Sequence, residues 1–159
     1  MTIREATPAD AAELGRLRWD FQGSNEGSPM RLDFLKDCEA WLHEALASGR
    51  WTIVVAESQP ASLIGCMYLQ CIDKVPDPGA ICRKWGYVTN CYVAIGHRGQ
   101  GLGTKLLQFL INDAQGRGLE FLIVWPSETS VSFYSRAGFI SMSQAHPGSD
   151  DEPPLELML

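Results

Sequence analysis

Residues 93–108 read V-A-I-G-H-R-G-Q-G-L-G-T-K-L-L-Q, and their types and spacing carry the clearest chemistry in the chain. Gly99, Gly101 and Gly103 follow a strand-like stretch, residues 87–92 (Y-V-T-N-C-Y). They precede Leu102, Leu106, Leu107 and Leu110, which fall at helical spacing. A glycine-rich turn from a strand into a helix exposes backbone N–H groups at the positive end of the helix. Such a turn suits an anion, most often a phosphate. Glycine serves there because a Cβ would block the ligand or forbid the backbone angle. Two nucleotide loops fail against this spacing. GxxxxGK[ST] needs lysine before the hydroxyl, whereas Gly103 is followed by Thr104 and then Lys105. The dinucleotide fingerprint needs GxGxxG early in a βαβ unit, whereas Gly99 to Gly103 give GxGxG after hairpin-like strands.

Other reactive side chains are scattered. The five cysteines, Cys38, Cys66, Cys71, Cys82 and Cys91, are odd in number and form no CxxC. That argues against a disulfide framework or a structural zinc site and for a reducing compartment. Cys91 has no histidine beside it and reads as a small buried hydrophobe. His97 reads as an exposed loop residue or local cap rather than a base. The chain has 159 residues, 45% apolar and 20% charged, which fits one globular domain over 1–159. A net charge of -6 argues against a general nucleic-acid binder. No apolar run approaches the roughly 18 residues of a membrane span, and no signal-like segment opens the chain. The expectation is a soluble cytoplasmic protein with no nucleic-acid or membrane partner.

The elements that must position the loop follow from local pattern. Residues 3–6 read as a strand. Thr7, Pro8 and Asp10 open a helix with a buried stripe of Leu14, Leu17 and Phe21. Residues 22–30 are a polar loop, either a plain connection or a lid on the substrate side. Asp33 caps a second helix whose apolar stripe is Phe34, Leu35, Cys38, Trp41, Leu42, Ala45 and Leu46. Residues 51–57 and 63–72 form a hairpin, residues 73–83 a loop, and residues 85–93 a strand. Residues 119–125 (L-E-F-L-I-V-W) read as a buried central strand, parallel to its predecessor across the intervening helix. A short helix over 127–136, a strand after Phe139, a polar loop at 145–152 and a last strand over 154–159 complete an α/β layout.

With these elements in place, the chain resembles the GCN5-related N-acetyltransferases (GNAT). Arg98-Gly99-Gln100-Gly101-Leu102-Gly103 matches that family's (Q/R)-x-x-G-x-(G/A) motif. Ser127, Ser130, Phe133-Tyr134 and Gly138-Phe139 match a later segment that often reads N-x-x-A-x-x-F-Y and then G-F, with Ser in place of the Asn and of the Ala. The two segments occur in the family's order, and the resemblance covers essentially the whole chain. It implies a mixed, mostly antiparallel sheet flanked by helices, with splayed central strands. It also implies acetyl-coenzyme A as donor. The pyrophosphate would lie on Arg98, Gly99, Gln100, Gly101, Leu102, Gly103 and Thr104, with Lys105 also near a phosphate. The pantetheine arm would pair with backbone around Cys91, Tyr92 and Val93, beside Ser127, Ser130 and Phe133. A bulge near the end of that strand would aim one N–H at the thioester carbonyl. The family's frequent dimers imply a homodimer.

Acetyl transfer from a thioester needs a neutral amine, a donor for the developing oxyanion and alignment of the two substrates. Tyr134 is the candidate acid for the leaving thiolate, because an ordinary tyrosine stays protonated up to a pH of about 10. The alternative is a core tyrosine packed beside Phe133. The strand before the loop holds Tyr87, Thr89, Asn90 and Tyr92 but no carboxylate. Asn90 can hold a water or the amine but cannot take a proton. Candidate carboxylates are Glu26, Glu120 and Glu128, the last just past the central strand. Trp125 reads as core or as lining of an acceptor pocket. Asp150, Asp151 and Glu152 read as a solvated loop or as attraction for a cationic acceptor. The leading expectation is an acetyl-coenzyme A-dependent N-acetyltransferase acting on a primary amine of a small molecule or peptide. The missing strand carboxylate motivates the alternative, a non-catalytic acyl-coenzyme A-binding sensor.

Overall fold

The computed structural model describes residues 1–23, 27–79, 83–142 and 154–159. The elements are β1 (Thr2–Glu5), a 3-10 turn (Pro8–Asp10), α1 (Ala11–Phe21), α2 (Arg31–Ala47), β2 (Trp51–Gln59), β3 (Ser62–Asp73) and β4 (Lys84–Val93). A turn (Ile95–His97) then leads to α3 (Leu102–Gly116), β5 (Phe121–Val124), a turn (Glu128–Ser130), α4 (Val131–Arg136), β6 (Ile140–Ser141) and β7 (Leu155–Met158). The strands hydrogen-bond in the order β1-β2-β3-β4-β5-β7-β6. β4 and β5 are parallel, as a strand–helix–strand crossover requires, whereas β1–β2, β5–β7 and β6–β7 are antiparallel. The sheet is therefore mixed and mostly antiparallel. The loop expected at 145–152, its acidic group, Glu26 and Cys82 lie outside the described residues.

The chain divides into two compact units, Met1–Tyr68 with Asn90–Leu110, and Leu69–Thr89 with Ile111–Leu159. β3 and β4 each run through both. In the first unit, Leu14 and Leu17 of α1, Leu42 of α2, Ile53 and Val55 of β2, and Tyr92 of β4 share one core. Thr7 enters α1 through Asp10, whose carboxylate accepts from the Thr7 N–H at 2.7 Å and from its Oγ1 at 3.0 Å. Arg4 holds the same carboxylate at 2.8 Å. Phe21 leaves the expected stripe: it is 44% exposed, and its ring meets Tyr92 at 5.7 Å. Asp33 lies within the first turn of α2 rather than at its cap, which is Met30. Only Leu42 and Ala45 of the expected α2 stripe are buried, and Trp41 sits edge-on to Trp51 with 45% exposure. Apolar spacing overstates burial here because α2 packs mainly on α1, with β2 and the Pro8–Asp10 turn as lesser neighbours.

The second unit is built around Gly86. A Cβ there would stand 2.5 Å from Leu122 Cδ2 and 2.7 Å from Leu69 Cδ1, so only glycine lets these strands and the Leu119 turn close. Trp85 stacks on Phe121 at 5.8 Å, and Tyr87 meets Trp125 edge-on at 5.2 Å. These pairs follow from the parallel register Gly86↔Leu122, Tyr87↔Ile123, Val88↔Val124.

Candidate active site

β4 changes character partway along. Its pairing with β5 covers Gly86 to Val88 and β5 ends at Val124, yet β4 continues to Val93. Its bonds to β3 show why. Lys74 N–H meets Arg83 O at one end, and Ala94 N–H meets Ile64 O at the other. From Ile64 to Lys74 is ten steps along β3, but from Arg83 to Ala94 is eleven, so β4 carries one extra residue. Asn90 has φ of 49°, the left-handed backbone that an extra bulge residue adopts and that asparagine tolerates. Arg18 Nη1 donates to Asn90 Oδ1 at 2.9 Å, and the Cys66 thiol points to Asn90 O at 3.9 Å. The break in β4 is thus held from α1 and from β3.

Cys91 and Val93 are half-buried and Tyr92 is buried. Beyond them the Ile95–His97 turn leads to Gly99 (φ 74°) and Gly101 (φ 73°). A Cβ on either would meet nothing within 4 Å, so these glycines supply backbone angle and leave open space above the loop. The bond from Lys105 N–H to Gly101 O starts α3. The N–H groups of Leu102, Gly103 and Thr104 precede it and belong to the orphan set of the helix N-terminus. Arg98 is exposed, and its Nε donates to Val93 O at 2.8 Å with the guanidinium 5.8 Å from the Tyr92 ring. The first unit therefore brings together Asn90, Cys91, Tyr92, Val93 and the loop from Arg98 to Thr104.

The second unit holds the other candidates. The Ser127 hydroxyl meets Thr129 Oγ1 at 3.2 Å and donates to Ser130 Oγ at 3.1 Å, and Ser130 Oγ donates to Ser127 O at 2.9 Å. Glu128 is exposed between them. Tyr134 is 4% exposed and packs edge-on against Phe133 at 4.8 Å and Phe139 at 5.5 Å. Both ring contacts fit the core alternative as well as the acid. Trp125 is 55% exposed, so it is not core.

Two electrostatic facts narrow the reactive groups. Arg83 and then Lys74 hydrogen-bond the Glu120 carboxylate and hold it down at about 2, with both oxygens engaged. Glu120 cannot act as a base in that state. Burial pushes the Cys66 thiol and the Tyr68 hydroxyl up, so both keep their protons at neutral pH. Arg18 escaped sequence analysis. A cation four residues after Leu14, on the buried stripe of α1, was the one signal that could have found it.

The family model described as the acetyltransferase (GNAT) family matches residues 12–139. Glucosamine 6-phosphate N-acetyltransferase 1 of Oryza sativa subsp. japonica is 32% identical over 59 residues, 37% of this chain and 36% of that protein. The match thus spans about a third of that relative's length. A ribosomal-protein-alanine N-acetyltransferase from Brucella melitensis superposes with a TM-score of 0.69 at 25% identity, covering 100% of both chains. A GNAT family acetyltransferase from Brucella melitensis, solved in complex with acetyl-CoA, gives a TM-score of 0.65 at 20% identity, covering 99% of this chain and 87% of that one.

Proposed function

This chain belongs to the acetyltransferase (GNAT) family, and on that premise we propose that it transfers an acetyl group from acetyl-coenzyme A to a primary amine of a small molecule or peptide. The reading treats residues 1–159 as one acetyltransferase domain. The observation that carries it is the extra residue of β4 at Asn90, placed where β4 has outrun its pairing with β5 and just ahead of the glycine loop. A bulge there turns backbone groups out of the ladder, which is what an oxyanion donor requires. The open space over Gly99 and Gly101 fits the coenzyme's phosphates, because any Cβ would fill it.

When bound, the coenzyme supplies an acetyl group already activated as a thioester. The chain's part is to hold and align. The N–H groups from Arg98 to Thr104 bind the pyrophosphate, with the Arg98 Nη groups beside them. Val93 O already accepts from Arg98, so strand-like pairing with the pantetheine arm falls to the other backbone groups of Cys91, Tyr92 and Val93. Ser127, Ser130 and Phe133 line the arm. Tyr134 Oη gives its proton to the leaving sulfur. Glu120 is engaged elsewhere, and the Asn90 side chain is given to Arg18 and Cys66, so Asn90 serves by shaping the bulge and the exposed Glu128 is the candidate carboxylate that takes the amine's proton through water. The acetyl-CoA complex of the Brucella relative supports the donor. The relatives' names, one a protein-alanine and the other a glucosamine 6-phosphate N-acetyltransferase, support an amine acceptor.

The test is a panel of amines with acetyl-coenzyme A, reading thiol release. Release that depends on one class of amine is the expected result. The absence of any carboxylate from β4 favours a second reading, a non-catalytic acyl-coenzyme A sensor. Tight coenzyme binding without turnover of any amine would replace the first reading with the second.

A further inference from the structure

Arg18 differs from the arginines around it. Arg4 is paired with Asp10 at 2.8 Å and with Glu57 at 3.2 Å. Arg16, two residues before Arg18 on α1, is paired with Glu13 and Asp20, each at 2.9 Å. Among the described residues no carboxylate pairs with Arg18. Its polar partners are neutral: Asn90 Oδ1 at 2.9 Å from Nη1, and Gln22, whose amide, turned so that its oxygen faces the guanidinium, accepts at 2.6 Å from Nη2 and 3.1 Å from Nη1. Phe21 covers one face of the guanidinium at 5.4 Å.

Counting donors shows what is left. A guanidinium has five N–H groups. Gln22 takes the edge between the two Nη atoms, and Asn90 takes the other Nη1 hydrogen. Among the described residues nothing takes Nε–H and the outer Nη2–H, which lie side by side on one edge. That edge is the parallel fork arginine offers to a carboxylate or phosphate. The guanidinium is half-buried, and its charge reaches the desolvated groups Cys38, Cys66 and Tyr68. Neutral amides orient it without cancelling its charge, on a side chain tied to the break in β4.

We propose that Arg18 sets acceptor specificity by binding a carboxylate or phosphate carried by the same small molecule as the reacting amine. The inference rests on the acetyltransferase reading of this site and names its substrate class. The acceptor is an amino acid or an aminoalkyl phosphate, not a polyamine or a lysine side chain. The positive charge on the reacting nitrogen is lost before attack, so the guanidinium opposes only the protonated amine. The anion fixes the orientation of what remains.

The test uses matched pairs with the full chain: amino acids against their amides, and phosphoethanolamine against ethanolamine. In the wild type the anionic member of one pair is favoured in kcat/KM by roughly tenfold to a hundredfold, mostly through KM. Which pair shows it tells carboxylate from phosphate. Arg18→Gln erases the preference while acetyl-coenzyme A affinity is kept, and Arg18→Lys restores part of it. A structural role limited to holding Asn90 would lower both members of a pair equally. Preference for the neutral members, for polyamines, or a preference that survives Arg18→Gln overturns the inference and leaves the acetyltransferase reading standing. Coenzyme binding with no turnover of any member sinks both.

Discussion

Tyr134 and Gly101 are two kinds of candidate, one argued from chemistry and one from backbone. Tyr134→Phe removes a hydroxyl and keeps the ring contacts with Phe133 and Phe139. It should lower kcat by roughly tenfold or more with coenzyme affinity nearly unchanged. Unchanged turnover across pH would return Tyr134 to the core. Gly101 has φ of 73°, which costs a β-branched residue about 1–3 kcal/mol, and a side chain would occupy the space above the loop. Gly101→Val should weaken acetyl-coenzyme A binding in calorimetry; equal affinity with an intact fold would reject the phosphate loop. Both candidates could be named from sequence because each sits in a local motif. Arg18 was not, because its partner Asn90 lies 72 residues away and only the folded chain joins them. Glu120 failed for the same reason: Lys74 and Arg83, which tie up its carboxylate, are distant in sequence.

Among the elements, β4 shows what residue pattern can and cannot give. Y-V-T-N-C-Y reads as one unbroken strand, and β propensity has no term for the extra residue that Asn90 inserts. The resemblance implied a bulge near the strand's end; the bonds to β3 show the extra residue, and the left-handed backbone of Asn90 locates it. The first half of the same strand depends on Gly86. A Cβ at that position would meet Leu122, Leu69 and Leu119 at 2.5, 2.7 and 3.1 Å. Gly86→Ala should therefore cost about 1–3 kcal/mol through overpacking. A lower urea midpoint with an unchanged slope is the expected reading, and a midpoint equal to wild type would show that β4 and β5 have room to separate. α2 makes the opposite point. Its apolar spacing was regular, but Trp41 packs on the edge of Trp51 and stays 45% exposed.

For the molecule as a whole, the order of elements was readable because each glycine, proline and apolar run marks its own boundary. The strand order was not, since it depends on β7 returning beside β5. Stability against acid depends on contacts of this long-range kind. In the first unit Arg4 on β1 hydrogen-bonds Asp10, and Thr7 adds two further donors. Together they hold the Asp10 carboxyl down at about 2 from an ordinary 3.8, despite burial, which acts the other way. A carboxyl depressed on folding stabilises the folded state above its unfolded value. That contribution is full above pH 3.8 and is lost as pH falls through about 2. For Asp10, which is 6% exposed, it amounts to ~2 kcal/mol. Glu120 in the second unit is depressed in the same direction, from 4.5 to about 2, but its surroundings are open to solvent and add less. Wild-type stability in urea should therefore fall between pH 4.5 and 2. Asp10→Asn should be less stable at neutral pH by ~2 kcal/mol, with the gap closing toward pH 2 as the wild-type carboxylate takes its proton. Parallel pH profiles for the two proteins would mean that the Asp10 charge does not carry this stability.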